Sequence, residues 1–251
     1  MQIKRKDKKI SPPFVLNSDK AGVYFIYRRT MENGMEEEMK YQAYLFDFDY
    51  TLANSEKGIL GCFRYVLQKY QYQGISDEEI KKTIGMTLKD AFRKLTKVED
   101  EDIISEYQTV YRKKADEIMN KNTVIFPSVP EVLKTLSKNG KNVMIVSTKG
   151  RERIEEFFEI VGLKQEIDFI LGGEDVKKAK PNPEGILTVI ERFGLQREEV
   201  LYIGDSVIDA QAAQKAGVDF VGVTSGVTTT EELEQFSHVM ILKDIKGILE
   251  I

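Results

Sequence analysis

The sequence has one cysteine, one histidine, no tryptophan and six prolines in 251 residues. Cys62 alone cannot close an intrachain disulfide, so the fold must rest on its apolar core, and a reducing cytoplasm is the expected location. A single histidine excludes a histidine-rich metal site. His238 lies far from every polar motif described below, which also leaves a histidine-activated nucleophile without partners. It reads as a surface or structural residue. No apolar run reaches the roughly 20 residues that a membrane-spanning helix requires, so no membrane is expected as a partner. There is no excess of either charge: 37 Lys and Arg stand against 41 Asp and Glu, a formal net charge of -4. That balance gives no footprint for nucleic acid or an anionic surface.

What is present divides into three parts. Residues 1–40 are basic at the start, broken by Pro12 and Pro13, and end in the acidic run Glu36-Glu37-Glu38. They are expected to be a poorly ordered extension. Met31, Met35 and Met39 are possible alternative starts, Met39 being the most natural because a strand follows it. Residues 56–122 are polar and carry helical periodicity, as in Ile59, Cys62, Phe63, Val66 and Leu67. Ser76 with Glu79 is a capping-box start, Gly85 interrupts the pattern, and Ile103 to Met119 is a long helix. Tyr65, Tyr70, Tyr72 and Tyr107 are expected to pack inside this block. Residues 41–55 and 123–251 instead alternate apolar β-rich runs with helices. The strands are Tyr44–Phe46, Val143–Val146, Phe169–Leu171, Val200–Ile203, Phe220–Val223 and an edge strand at Val239–Leu242. Helices fall at Arg151–Val161, after Asn182-Pro183 up to Gly194, and from Ser206 to Ala216. Continuous apolar strands alternating with helices predict an α/β fold whose doubly wound parallel sheet is covered on both faces. Ligands of such sheets bind beyond the carboxyl ends of the strands.

Four short polar motifs sit at those ends. Asp47-Phe48-Asp49-Tyr50-Thr51 places two carboxylates two residues apart, on one side of an extended chain and roughly 6.6–7 Å apart at Cα. One could attack phosphorus and form an acyl phosphate, while the other donates a proton to the leaving oxygen and later activates water. Gly204-Asp205-Ser206-Val207-Ile208-Asp209 supplies two further carboxylates, hard oxygen ligands of the kind magnesium takes. Ordinary N-capping by Asp205 or Ser206 is the plainer reading of that motif. Ser147-Thr148-Lys149 ends a strand with a hydroxyl, and Lys180-Pro181-Asn182-Pro183 offers an ammonium that can neutralise phosphate. Taken singly, each motif is ordinary turn chemistry. Their order and shared position at strand ends point to phosphoryl transfer.

Read jointly, Asp47-x-Asp49-x-Thr51, Ser147, Lys180-Pro181-x-Pro183 and Gly204-Asp205-x-x-x-Asp209 resemble the haloacid dehalogenase superfamily over about residues 41 to 225. Within it, the chain looks like the phosphoglycolate-phosphatase-like branch, whose core is Rossmann-like with an inserted all-helical cap, here residues 56–122. Phe126 to Leu133 resembles the segment by which that branch re-enters the core. The resemblance implies that Asp47 is the nucleophile and a magnesium ligand, and that Asp49 is the general acid/base, with its carbonyl on the metal. It further implies that Asp205 and Asp209 complete the Mg2+ site. Thr51, Ser147, Thr148 and Lys180 form the phosphate-binding set, with Thr51 also buttressing the loop. The implied activity is hydrolysis of a small phosphate monoester. Asp49 argues against dehalogenation, which needs no proton donor. A sugar phosphomutase and a non-catalytic metal-binding module remain open as alternatives. Three positions depart from the family pattern: Tyr50 where glycine is usual, Thr148 where asparagine is common, and Asn54-Ser55 at the entry to the cap. The sequence carries no code for the substrate or for the oligomeric state.

Overall fold

The computed structural model describes residues 39–251. The expectations for the extension, the acidic run and the earlier start sites fall outside these residues. The core is a six-stranded sheet of β1 (Ala43–Phe46), β4 (Asn142–Val146), β5 (Phe169–Leu171), β6 (Val200–Gly204), β7 (Asp219–Val223) and β8 (Met240–Leu242), in the order β5-β4-β1-β6-β7-β8. Every pair in it is parallel, with Phe46 in register with Ile145 on one side and Ile203 on the other. β1 is therefore central, and its carboxyl end opens between those of β4 and β6.

Alternation along each strand divides the core into two layers. Tyr44, Phe46, Val143, Ile145, Leu201 and Ile203 join the apolar faces of α5 (Val129–Lys138) and α6 (Arg151–Ile160). Ala43, Leu45, Met144, Val146, Val200 and Tyr202 join α7 (Glu184–Phe193), α8 (Val207–Ala216) and Leu233 of α9 (Thr230–Leu233). Continuously apolar strands are what two covered faces require. The alternation also sends Phe48 into the first layer, where its ring meets Phe157 and Phe158 edge-on. Asp47 is left on the opposite side, just past the strand end.

Between β1 and β4 the chain leaves the sheet. The short antiparallel pair β2 (Ala53–Asn54) and β3 (Val124–Ile125) brackets four helices: α1 (Glu56–Lys69), α2 (Asp77–Lys81), α3 (Leu88–Thr96) and α4 (Glu101–Ile118). Their inward faces form a third apolar cluster around Phe63, Phe92, Tyr107 and Tyr111. The Ser76–Glu79 capping box is formed, and Asp100 caps α4. Cys62 is fully buried there, and burial pushes its thiol up to about 12, so it behaves as a packing residue. Tyr70 and Tyr72 pack on Tyr107 as expected. Tyr65 does not; it is 45% exposed, with Lys114 over its ring.

Helix starts differ from the sequence expectation at two places: α4 begins at Glu101 rather than Ile103, and α7 begins one residue late. Pro183, with φ -75° and ψ -1°, is the N-cap of α7 rather than its first residue. Asn182 lies one position earlier and accepts the Glu184 N–H through Oδ1 at 3.0 Å. The helix ends as expected at Gly194, whose φ of +64° is the left-handed conformation that glycine adopts freely. His238 is exposed. Among the described residues, no helix is long and apolar enough to cross a membrane.

Candidate active site

All four polar motifs meet at the carboxyl end of β1. Asp47 follows that strand directly and is 2% exposed. Its Oδ1 lies 3.0 Å from Lys180 Nζ, an ion-pair contact without hydrogen-bond geometry. Lys180 precedes a cis peptide bond to Pro181 and is itself almost fully buried. Its ammonium also reaches Asp209 Oδ1 at 2.5 Å and the Tyr202 hydroxyl at 2.8 Å. Carboxylate oxygens of Asp47, Asp205 and Asp209 lie within 4.8 Å of one another, and all three residues are buried.

This grouping is electrostatically expensive. Burial raises Asp47 to about 6, with Lys180 opposing the rise and Asp209 adding to it. Burial, then the charges of Asp209 and Asp47, push Asp205 well above the carboxylate range. Burial works against the Lys180 ammonium, but Asp209 and Asp47 more than offset it and hold its proton affinity above the usual value. When all three are ionised, these buried carboxylates exceed the one ammonium by two negative charges, which is the state their raised proton affinities oppose. A divalent cation with oxygen preference matches that surplus in charge and in donor type. Asp47 Oδ1 is buried and accepts no hydrogen bond among the described residues, so beside its ion pair with Lys180 it can still offer a lone pair to such an ion.

The three carboxylates are not equivalent. Asp209 is the capping-box residue of α8: Ser206 caps the helix through the Asp209 N–H, and Asp209 Oδ2 accepts from Ser206 N at 3.1 Å and Ser206 Oγ at 2.5 Å. With Oδ1 held by Lys180 and Tyr202, both of its oxygens are engaged. The capping reading is realised by Ser206, and both aspartates of the motif stand in the same buried group as Asp47. Asp205 carries no such ties, and it is closely covered. A Cβ on Gly226 would stand 2.0 Å from Asp205 Oδ2, so any larger residue there would displace the Asp205 carboxylate.

Asp49 sits apart from this group. Its Oδ1 accepts from Lys149 Nζ at 2.8 Å and from Ser55 Oγ in a short hydrogen bond. Tyr50 adopts φ +60°, the region where glycine is at home. Its ring is 3% exposed and its hydroxyl donates to Glu56 Oε2 at 2.6 Å. Its carbonyl accepts from Ser225 Oγ in a short hydrogen bond. Thr51 is buried, and its Oγ1 has no partner among the described residues, so the expected buttress is not made through its hydroxyl. Ser147 lies at the end of β4, 5% exposed, and its Oγ accepts the Lys149 N–H at 3.3 Å. Thr148 Oγ1 donates to the Gly85 carbonyl in the α2–α3 connection at 3.1 Å. The helical segment is joined to the sheet side elsewhere too, by Arg153 to Asp116 in a short ion pair and to the Ala115 carbonyl at 3.1 Å.

Sequence reasoning did not single out Lys149, Tyr202, Ser55 as a partner of Asp49, or Gly226. Lys149 lies inside the motif Ser147-Thr148-Lys149, which was read for its hydroxyl alone. The pair Gly172-Gly173 meets neither phosphate-loop pattern, and its glycines have a packing role. A Cβ would fall 2.3 Å from Arg151 N at Gly172 and 2.4 Å from the Thr148 carbonyl at Gly173.

Comparison with known proteins identifies the family. The sequence pattern of haloacid dehalogenase-like hydrolases matches residues 44–223. A haloacid dehalogenase-like hydrolase from Bacteroides fragilis is 47% identical in sequence; the match covers 83% of this chain and all of that one, with a TM-score of 0.82. A protein described as a phosphoglycolate phosphatase from Lactobacillus plantarum is 26% identical, over 84% of this chain and 99% of that one, with a TM-score of 0.75. Pyrophosphatase PpaX of Bacillus cereus is 29% identical over 213 residues, 85% of this chain and 97% of that protein. Sheet order, the cluster of acidic residues and these matches agree: the chain belongs to the haloacid dehalogenase-like hydrolase family.

Proposed function

We propose that this hydrolase is a magnesium-dependent phosphatase of small phosphate monoesters working through a phosphoaspartyl intermediate on Asp47. The observation that carries the reading is the division between the two carboxylates of one loop. Asp47 is packed against Lys180 beside Asp205, while Asp49 is held separately by Lys149 and Ser55. In the first half-reaction an Asp47 oxygen bonds to phosphorus, the bond to the ester oxygen breaks, and Asp49 gives that oxygen its proton. In the second, water attacks phosphorus, Asp49 takes its proton, and the bond to Asp47 breaks. Lys180 and Ser147 hold the phosphoryl oxygens, with the Thr148 main chain alongside. Magnesium would be held by Asp47, by Asp205 and by the Asp49 carbonyl, and when bound it supplies positive charge to the transferring oxygens. Asp209, with both oxygens taken, orients Lys180 and the metal's surroundings.

Helices α1–α4 act in this reading as a cap that opens at Asn54-Ser55 and Asn122-Thr123 and excludes water when closed. The leaving group is small. Phosphoglycolate and pyrophosphate are the first compounds to test, because relatives carry those names.

The test is phosphate release from p-nitrophenyl phosphate and a panel of metabolite phosphates, with and without magnesium. Asp47→Asn should abolish turnover. Asp49→Asn should lower it by about a hundredfold or more on esters with poor leaving groups. Turnover only with a sugar bisphosphate primer would favour a mutase. Metal binding without turnover on any compound would favour a regulatory module.

A further inference from the structure

Lys149 is a buried ammonium that the scheme above does not use. Its side chain is 8% exposed, and Asp49 is the only carboxylate within ion-pair distance of it among the described residues. The ammonium also lies 5.3 Å from the centre of the Phe48 ring. Its main chain is fixed: the N–H donates to Ser147 Oγ at 3.3 Å, and the carbonyl accepts from Gly173 N at 3.0 Å. Gly173 in turn lies too close to the Thr148 carbonyl for any side chain. A long flexible side chain is thereby anchored at its base and aimed at one atom.

That atom is Asp49 Oδ1. Among the described residues, both hydrogen bonds to the Asp49 side chain, from Lys149 and from Ser55, go to Oδ1 and none to Oδ2. We propose that Lys149 is a positioning residue that assigns the proton-exchanging role to Asp49 Oδ2. Oδ1 stays on the ammonium throughout. When Oδ2 gives its proton to the leaving oxygen, the charge left on Asp49 already faces Lys149. When water attacks phosphorus, its proton returns to the same Oδ2. Buried and paired in this way, the carboxylate turns over without reorienting between the two half-reactions. Lys149 itself touches no reacting atom.

This inference rests on Asp49 acting as the general acid/base, and the experiment separates the two claims. Proton donation matters most when the leaving group is a poor one. Turnover is therefore measured on 2,4-dinitrophenyl phosphate and on an alkyl phosphate, for wild type, Asp49→Asn, Lys149→Met, Lys149→Arg and the double variant Asp49→Asn/Lys149→Met. Lys149→Met should lower kcat on the alkyl ester by about tenfold or more, with KM and the dinitrophenyl rate changing by less than about threefold. Lys149→Arg should recover part of the loss. Adding Lys149→Met to Asp49→Asn should change nothing further, because the two residues act as one unit. The double variant also guards against misfolding, since it leaves no buried carboxylate unpaired. Equal losses on both esters, or additive losses in the double variant, would overturn the role of Lys149 while leaving Asp49 in place. If Asp49→Asn shows no preference between the esters, the acid/base reading fails and the inference falls with it.

Discussion

At Tyr50 a side chain holds a backbone conformation that most residues avoid. The left-handed region costs a non-glycine residue about 1–2 kcal/mol, whereas truncating a fully buried aromatic ring costs about 3–5 kcal/mol. Burial of the side chain therefore outweighs the strain, and the bond from its hydroxyl to Glu56 ties the loop after β1 to the first residue of α1. Two substitutions separate these contributions. Tyr50→Ala keeps the strain and loses the ring; Tyr50→Gly loses the ring but relieves the strain. Urea unfolding should find both less stable than wild type, with the glycine variant the better of the two by about 1 kcal/mol. An alanine variant as stable as the glycine variant would contradict this account. Much of the site was legible at this scale, because Asp47, Lys180, Asp205 and Asp209 stand in fixed motifs. Tyr202 was not: it lies inside an apolar strand, and only the pleat turns its hydroxyl toward Lys180 and Asp209. Lys149 was hidden for the opposite reason, because a lysine in a loop ordinarily faces solvent.

Among the elements, α8 places Asp209 in the first turn after its N-cap Ser206. Ser206→Ala removes the acceptor of the Asp209 N–H and a donor to Asp209 Oδ2. It should cost about 1 kcal/mol of stability, read by denaturant unfolding. A second prediction concerns β7 and the start of β1. The Tyr41 hydroxyl, then Lys40, holds Asp219 below the usual carboxylate range. Its contribution is therefore present above that range and lost as pH falls through its lowered value. Tyr41 and Asp219 push Lys40 up to about 12, so its contribution is complete below 10.5 and lost as pH rises through about 12. Both side chains are substantially exposed, and solvent screening limits the pair to about 1 kcal/mol or less. Asp219→Asn should flatten the acid limb of a stability–pH curve by lowering its middle by about 1 kcal/mol or less while leaving its acid end in place. A steeper acid limb in the variant would reverse the sign worked out here. The six sheet strands were legible because continuous apolar runs mark strands covered on both faces. The pair β2 and β3 was not, since two residues carry no periodicity, and the four residues of α9 make little more than one turn.

Over the whole molecule, motifs far apart in sequence converge because a parallel sheet puts every strand's carboxyl end on one edge. The cluster of Asp47, Asp205 and Asp209 then opposes folding through its own charge repulsion. Magnesium, binding only the folded chain, should raise the unfolding temperature. At a hundredfold excess over its dissociation constant the gain is about 2.7 kcal/mol. Differential scanning calorimetry should find the shift greatly reduced in Asp205→Asn. A shift of equal size in that variant would place the ion elsewhere.

The central claim is that the Asp47 carboxylate bonds to phosphorus, and the most direct measurement is an acid quench during turnover followed by mass analysis of the proteolytic peptides. One phosphoryl group should be found on the peptide containing Asp47 and be lost in Asp47→Asn. Turnover with no phosphorylated peptide, sustained in the Asp47→Asn variant, would contradict it.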